Sequence, residues 1–318
     1  MNPYIFVVGC PRSGTTLLQR MLDHHPRLAV ANDTHFIPHG LEDRTGRVDP
    51  PLTAEAVERV RTYRRFHRLG LPDEAVAAAA ARARTYSAFV RGLYDELARM
   101  HGKPLAGEKT PSYVRRLPLL HGLFPDARFL HIIRDGRDVA LSALEWATET
   151  KGPGKLLLWR EEPVAVCALW WRRHVQTGRD DGARIGPTGY FEVRYERIVA
   201  HPERELRRIA TLIDLDYAPQ MAAFHVGKTR SNPGRSAKSA WLPPTPGLRD
   251  WRTSMAERDV ALFEALAGDL LDELGYPRAA PSVPKRELDR AERIRDTFAR
   301  EVRGRERQLP QAWSKAAG

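Results

Sequence analysis

Near the start of the chain an unbroken apolar run, Ile5-Phe6-Val7-Val8, leads into a glycine-bounded turn, Gly9-Cys10-Pro11-Arg12-Ser13-Gly14-Thr15-Thr16. No other stretch constrains the fold as strongly. A run without polar alternation reads as a strand buried on both faces, so the chain must cover both sides of a sheet. The residues that follow, Leu17-Leu18-Gln19-Arg20-Met21-Leu22, carry apolar side chains at helical spacing. Strand, turn and helix in this order form a phosphate-binding loop, in which backbone N–H groups wrap an anion at the positive end of the helix. The glycine spacing fits G-x-x-x-x-G-K-[ST], except that Thr15 stands where nucleotide triphosphatases keep a lysine. What remains to hold a compact anion is the loop backbone, the hydroxyls of Ser13, Thr15 and Thr16, and Arg12.

Pro11-Arg12-Ser13-Gly14-Thr15-Thr16 after a buried first strand resembles the 5′-phosphosulfate loop of the PAPS-dependent sulfotransferases, the donor PAPS being 3′-phosphoadenosine 5′-phosphosulfate. The rival reading is a glycine-rich turn of some other α/β protein. A second motif decides between them. Arg128 to Ile133 reads as another apolar strand, Arg134 lies at its end, and Asp135-Gly136-Arg137-Asp138 opens a helix that carries Ser142. Asp138 and Ser142 share a helical face. A guanidinium fork beside a hydroxyl suits one phosphate. The alternative is Arg134 paired to Asp135 or Asp138, with Ser142 a small packing residue. The pattern resembles the 3′-phosphate motif of the same family. The two motifs fall in the family's order, about 120 residues apart.

The resemblance, to the branch that includes tyrosylprotein and bacterial sulfotransferases, also implies catalytic residues. In Asn32-Asp33-Thr34-His35-Phe36 a carboxylate and an imidazole sit just past a short second strand, where parallel sheets place ligands. Either could take a proton from a hydroxyl, and Asp33 or Thr34 could equally be a helix cap. The family's glutamate base matches Asp33, one methylene shorter, with His35 as the reserve. In Gly107-Glu108-Lys109-Thr110-Pro111, Lys109 matches the lysine set beside the transferring sulfuryl group. Tyr190 to Glu196 alternates as a strand with Phe191, Val193 and Tyr195 on one face, and Tyr195 inherits a place against the adenine ring. Many relatives close the donor site with a loop ending Arg-Lys-Gly-x-x-Gly-Asp-Trp. This chain keeps Asp250-Trp251 but has Pro244-Thr245-Pro246 where the Arg-Lys-Gly belongs, so the third donor clamp has no assigned residue.

The expected fold is therefore α/β, a parallel sheet flanked by helices, of the P-loop-like sulfotransferase type. A sulfotransferase domain over 1–278 would contain a helical insertion at about 40–102, followed by a charged amphipathic tail over 279–318. Within the insertion Tyr86, Phe89, Val90, Leu93, Tyr94 and Leu97 make one apolar helical face, and the arginines from Arg59 to Arg68 read as a solvated face. His24 and His25 read as solvated turn residues. Trp170 and Trp171 are expected in the core or lining an acceptor pocket, and Pro202 starts a helix carrying Leu206, Ile209 and Ile213. Val226 to Trp251 reads as a basic irregular loop with Arg235, Lys238, Arg249 and Arg252. Ser254 to Glu257 reads as a capping box. On the tail, Leu288, Ala291, Ile294, Phe298 and Val302 form an apolar stripe for packing on the body or on another chain.

The net charge of +11 calls for anionic partners. PAPS accounts for it as well as a nucleic acid would, and the two phosphate motifs make no nucleic acid expected. The resemblance implies in-line transfer of a sulfuryl group from PAPS to a hydroxyl or amine of a small molecule, a carbohydrate or a peptide, and no metal is expected. With only Cys10 and Cys167, no spanning apolar run and no signal-peptide pattern, the expected location is the cytoplasm. Two other classes stay open: a P-loop kinase or other nucleotide-binding protein, and a non-catalytic polyanion-binding protein.

Overall fold

The computed structural model describes residues 3–41, 47–226 and 243–307. Its centre is strand β1 (Ile5–Gly9), buried along its whole length as its unbroken apolar run requires. Ile5 and Val7 face one hydrophobic cluster, while Phe6 and Val8 face another. Helix α1 (Thr15–Asp23) leads to β2 (Leu28–Asn32) and the short α2 (Ile37–Gly40). The insertion holds α3 (Ala54–Thr62), a 3₁₀ turn at Phe66–Leu69, α4 (Asp73–Arg82) and α5 (Tyr86–Met100). Then come β3 (Leu105–Lys109), α6 (Leu117–Leu123), β4 (Arg128–Ile133), α7 (Gly136–Trp146) and the long α8 (Pro163–Ile185). β5 (Tyr190–Arg194), α9 (Tyr195–Ala200), α10 (Pro202–Leu212), α11 (Trp251–Ser254), α12 (Glu257–Glu273) and α13 (Lys285–Arg307) complete the chain.

All strands run parallel, in the order β2-β3-β1-β4-β5. The chain leaves β1 toward β2 on one side and reaches β4 and β5 on the other. The order therefore reverses between β1 and β4, and parallel sheets open a ligand crevice beyond the strand ends at such a point. Gly9 pairs with Ile132 at that edge, so the loop after β1 and the residues after β4 emerge side by side.

α5 presents Phe89, Val90, Leu93, Tyr94 and Leu97 to the core as its spacing predicts, and α10 buries Leu206 and Ile209. α13 packs on the body, with Ala291, Ile294 and Phe298 buried in the cluster of α7, α8 and α12. Leu288 is exposed instead of joining that stripe.

Several expectations need correction. His25 is buried, its Nε2 2.8 Å from the Asp216 carbonyl, so it ties a turn down rather than facing water. The capping box at Ser254–Glu257 does not form: α11 ends at Ser254, and α12 begins after Ala256 without a side-chain cap. β5 stops at Arg194, and Tyr195 opens a helix. Arg235 and Lys238 of the basic loop lie outside the described residues. Among the described residues no helix is long and apolar enough to cross a membrane, and no cluster of metal-ligating side chains occurs. Cys10 and Cys167 are buried free thiols.

Candidate active site

The loop after β1 has the shape of an anion cradle. Arg12 takes a left-handed backbone (φ 81°), as does Gly14 (φ 94°), which precedes α1. Glycine at 14 is required twice over. A Cβ there would sit 2.3 Å from Tyr195 Cδ2, and the positive φ disfavours any other residue. No side chain caps α1 and no acidic residue lies in its first turn, so its N-terminal N–H groups face the cradle. The Ser13 hydroxyl is fully buried with no hydrogen-bond partner among the described residues. A buried orphan hydroxyl beside an uncapped helix terminus marks a place built for an acceptor-rich group. Thr15 is buried and Thr16 half-buried at the same terminus.

The second motif closes on the first. Arg12 Nε donates to Ser142 Oγ at 2.9 Å, across 130 residues of sequence. The Arg134 guanidinium lies 4.3 Å from the centre of the Tyr195 ring, which also closes over Gly14. Arg134 also reaches Asp138 Oδ2 at 3.3 Å, so the ion-pair reading of this arginine holds in part. Its Nε nevertheless stays buried without a partner among the described residues. Burial, then the like charges of Arg249 and Arg134, pull the Arg12 guanidinium down to about 10. Cations crowded this way in a half-closed site are stabilised by an incoming anion.

Arg249 went unassigned in the sequence because it follows a proline-rich stretch without a motif. It is positioned by its neighbours Asp250 and Trp251. Trp251 N donates to Asp138 Oδ1 (3.0 Å), its indole N–H donates to Asp135 Oδ2 (3.1 Å), and its ring covers Arg137 at 3.6 Å. Arg137 is wholly buried between Asp135 and Glu264, a structural ion pair under the motif. Arg249 itself pairs with Glu145 on α7.

A second cluster forms at the ends of β2 and β3. Asp33 and His35 both have left-handed backbones (φ 63° and 60°), and Asp33 N donates to Lys109 O at 2.6 Å. Strain of this kind persists only where neighbours over-determine it. Here the neighbour is Glu108, fully buried, whose Oε1 accepts from Thr34 N and from the Thr34 and Thr110 hydroxyls, while Oε2 accepts from the Tyr94 hydroxyl. Its role was missed in the sequence, since a glutamate beside a lysine carries no pattern that says it is buried.

Asp33 Oδ1 accepts from His35 Nε2 at 2.9 Å and lies 3.9 Å from Lys109 Nζ. Oδ2 accepts from Arg65 Nη1 (2.8 Å) and Arg68 Nη1 (3.0 Å). The arginines of the insertion are thus not merely a solvated face: two of them reach the sheet edge, and Arg59 donates to the Gly40 carbonyl. Burial would raise the Asp33 carboxyl, but the Lys109 charge, the His35 hydrogen bond and Arg65 outweigh it and hold it well below the usual carboxylate range. Burial lowers the Lys109 ammonium, and Asp33 offsets part of that. Ser112 Oγ lies 3.3 Å from His35 Nδ1, so both ring nitrogens of His35 have internal partners.

The chain resembles known proteins in both sequence and fold. The model of the sulfotransferase family matches residues 3–219. The protein-tyrosine sulfotransferase A of Caenorhabditis elegans is 28% identical over 288 residues, 88% of this chain and 69% of that protein. The human protein-tyrosine sulfotransferase 1 shows 28% identity over 288 residues, 88% of this chain and 71% of its own length. In fold, the chain resembles the sulfotransferase domain from the curacin biosynthetic pathway, with a TM-score of 0.55, 18% identity, and coverage of 94% of this chain and 98% of that one.

Proposed function

This chain belongs to the sulfotransferase family, and from that premise we propose that it takes its sulfuryl group from PAPS and delivers it to a hydroxyl. The observation that carries the donor assignment is the buried, unpartnered Ser13 hydroxyl at the uncapped start of α1, beside the crowded guanidiniums of Arg12 and Arg134. Two anionic ends are called for: a phosphosulfate on the α1 terminus, held by Ser13, Gly14, Thr15 and Thr16, and a 3′-phosphate near Arg134 and Ser142. Arg12 bonds Ser142 and so links the two halves.

The chemistry is an in-line displacement at sulfur. The acceptor oxygen forms a new S–O bond as the bond from sulfur to the bridging phosphate oxygen breaks, and that electron pair stays on the departing phosphate. Asp33 is the group to receive the acceptor proton. Lys109, a buried ammonium beside it, is the group to stabilise charge on the bridging oxygen. His35 serves Asp33 as a hydrogen-bond partner, its own nitrogens being engaged by Asp33 and Ser112. The relatives named above act on protein tyrosine, so a tyrosine hydroxyl is the first acceptor to try.

Calorimetry tests the reading. Adenosine 3′,5′-bisphosphate should bind well and adenosine 5′-phosphate more weakly, and Arg134→Ala should erase most of the difference, about 1.5–3 kcal/mol for a charge-assisted bond. Tight binding of Mg-ATP without preference for the bisphosphate would instead make the chain a kinase-like nucleotide binder.

A further inference from the structure

The carboxylate proposed as the base is already occupied. A carboxylate offers about four lone-pair sites. Arg65 and Arg68 take two on Oδ2, His35 takes one on Oδ1, and Lys109 stands 3.9 Å from that same oxygen. A general base must come within roughly 2.6–3.2 Å of the atom whose proton it takes, and the one site left is on Oδ1, the oxygen nearest Lys109, so an incoming hydroxyl meets Asp33 clear of that ammonium only where a donor on Oδ2 moves away. Lys109 rises from a strand with its side chain only 5% exposed, and His35 is held from behind by Ser112. The arginine side chains are 25% and 36% exposed and stand on a single 3₁₀ turn, Phe66–Leu69 and the residue before it. Phe66 and Leu69 anchor that turn in the core, Phe66 edge-on to Phe36. Residues 65 and 68, three apart, then emerge on one side of it, above Asp33. The arginines are the donors free to move.

The charges around Asp33 do not balance. Arg65, Arg68 and Lys109 share its one carboxylate, and Arg64 adds to the crowding on Arg65. Glu108 is committed to Thr34, Thr110 and Tyr94, Tyr63 nearby is a phenol, and His35 is charged only when protonated. The pocket therefore holds surplus positive charge before any acceptor arrives.

We infer that Arg65 and Arg68 form a clasp that keeps Asp33 from acting as base until an anionic group on the acceptor draws the two guanidiniums away. The inference rests on the reading of Asp33 as the base and makes the pair specificity-determining. An acceptor bearing a carboxylate near its hydroxyl replaces Asp33 as the partner of the arginines and frees an Asp33 lone pair for the hydroxyl proton. A neutral acceptor pays for opening the clasp without that exchange. Release also moves the Asp33 carboxyl up toward the range in which a base works.

The test uses the full chain with ¹³Cγ-labelled aspartate and adenosine 3′,5′-bisphosphate present, the Asp33 signal being identified by its loss in Asp33→Asn. The probes are 2-hydroxyphenylacetate and 2-hydroxyphenylacetamide, phenols of the same shape that differ in charge. At pH 7, where the probe's carboxylate and Asp33 are both ionised, the anion should move the Asp33 ¹³Cγ signal toward its position in Arg65→Gln with Arg68→Gln, and the amide should leave it in place. Arg65→Gln with Arg68→Gln should raise the midpoint without any ligand. In turnover with labelled PAPS the wild type should favour the anionic phenol roughly tenfold or more. The double variant should lose that preference and sulfate the neutral phenol faster than wild type does, which a purely structural role for the arginines would not produce. Arg65→Lys with Arg68→Lys keeps both charges and should keep the preference for the anion. An Asp33 signal unmoved by the anion at pH 7, with an Asp33 midpoint unmoved by the double substitution, overturns the inference. Failure of the bisphosphate to bind the wild type in calorimetry overturns the donor reading instead, and the midpoint shifts produced by the double substitution do not depend on turnover.

Discussion

Glu108 is where the strained acceptor loop can be broken without touching the donor site. Its side chain is fully buried and accepts from the backbone N–H groups of Thr34 and His35 and from the hydroxyls of Thr34, Thr110 and Tyr94. In Glu108→Gln the shape stays and an amide oxygen still serves the threonines, but the bonds lose their charge assistance, a loss of about 1 kcal/mol each. Burying an amide in place of a carboxylate returns part of that, leaving a net destabilisation of roughly 2 kcal/mol. Glu108→Ala removes the acceptor altogether. Thr34, Thr110 and Tyr94 are then left unpaired in the core, with a cavity beside them, and the cost rises to roughly 4 kcal/mol.

Urea unfolding followed by tryptophan fluorescence measures both, and the melting temperature should fall by roughly 2 °C per kcal/mol in a chain this long. Affinity for adenosine 3′,5′-bisphosphate should hold, because the donor contacts come from the loops after β1 and β4. A cycle of Glu108→Ala with Thr34→Val should show a coupling energy above about 1 kcal/mol, since each substitution removes the other's partner. The reasoning fails if Glu108→Gln unfolds within about 0.5 kcal/mol of wild type, the scatter of an ordinary surface substitution.

Ser13→Ala should weaken bisphosphate or PAPS binding by about 0.5–1.5 kcal/mol while the ligand-free chain unfolds no earlier, because the hydroxyl has no partner to lose among the described residues; calorimetry and urea melts check the two halves. Lys109→Ala should lower kcat while donor affinity changes little, and a change confined to KM would move Lys109 from the transition state to ground-state binding. The buried His131 imidazole is pushed down to about 3 by burial first and then by Arg179 and Arg194, from an unfolded value near 6.5. The unfolded chain then binds the extra proton, so stability is full above about pH 6.5 and falls by up to about 1.4 kcal/mol per unit toward pH 3. His131→Gln should flatten that slope in urea midpoints measured across the window.

The donor half of the site was readable in the sequence because its geometry is local. An anion at a helix terminus needs a strand, a tight turn and a helix in immediate succession, and Ile5 to Leu22 supplies all three. Arg134 and Ser142 likewise lie within one strand–helix junction. Even here the reach of a side chain escaped. Arg12 sits within the first motif yet bonds to Ser142 of the second, a consequence of its left-handed backbone, which no preference for arginine would suggest. Tyr195 was placed on a strand because alternation continued one residue past the point where β5 ends; its ring meets Gly14 and Arg134 from the first turn of a helix.

The acceptor half was hidden for a different reason. Asp33 and Lys109 could be found at strand ends, but what governs Asp33 lies 32 and 35 residues further along, in an arginine-rich stretch that looks like any exposed helical face. Charge alone could not select Arg65 and Arg68 from Arg59, Arg61 and Arg64. The selection is made by Phe66 and Leu69, whose burial against the core turns the stretch so that residues 65 and 68 overhang the end of β2. An insertion that sets electrostatics this way can change acceptor preference through its apolar residues. Phe66→Ala should loosen the turn and raise the Asp33 titration midpoint much as removing the arginines does, although Phe66 carries no charge; a midpoint left at the wild-type position would refute this.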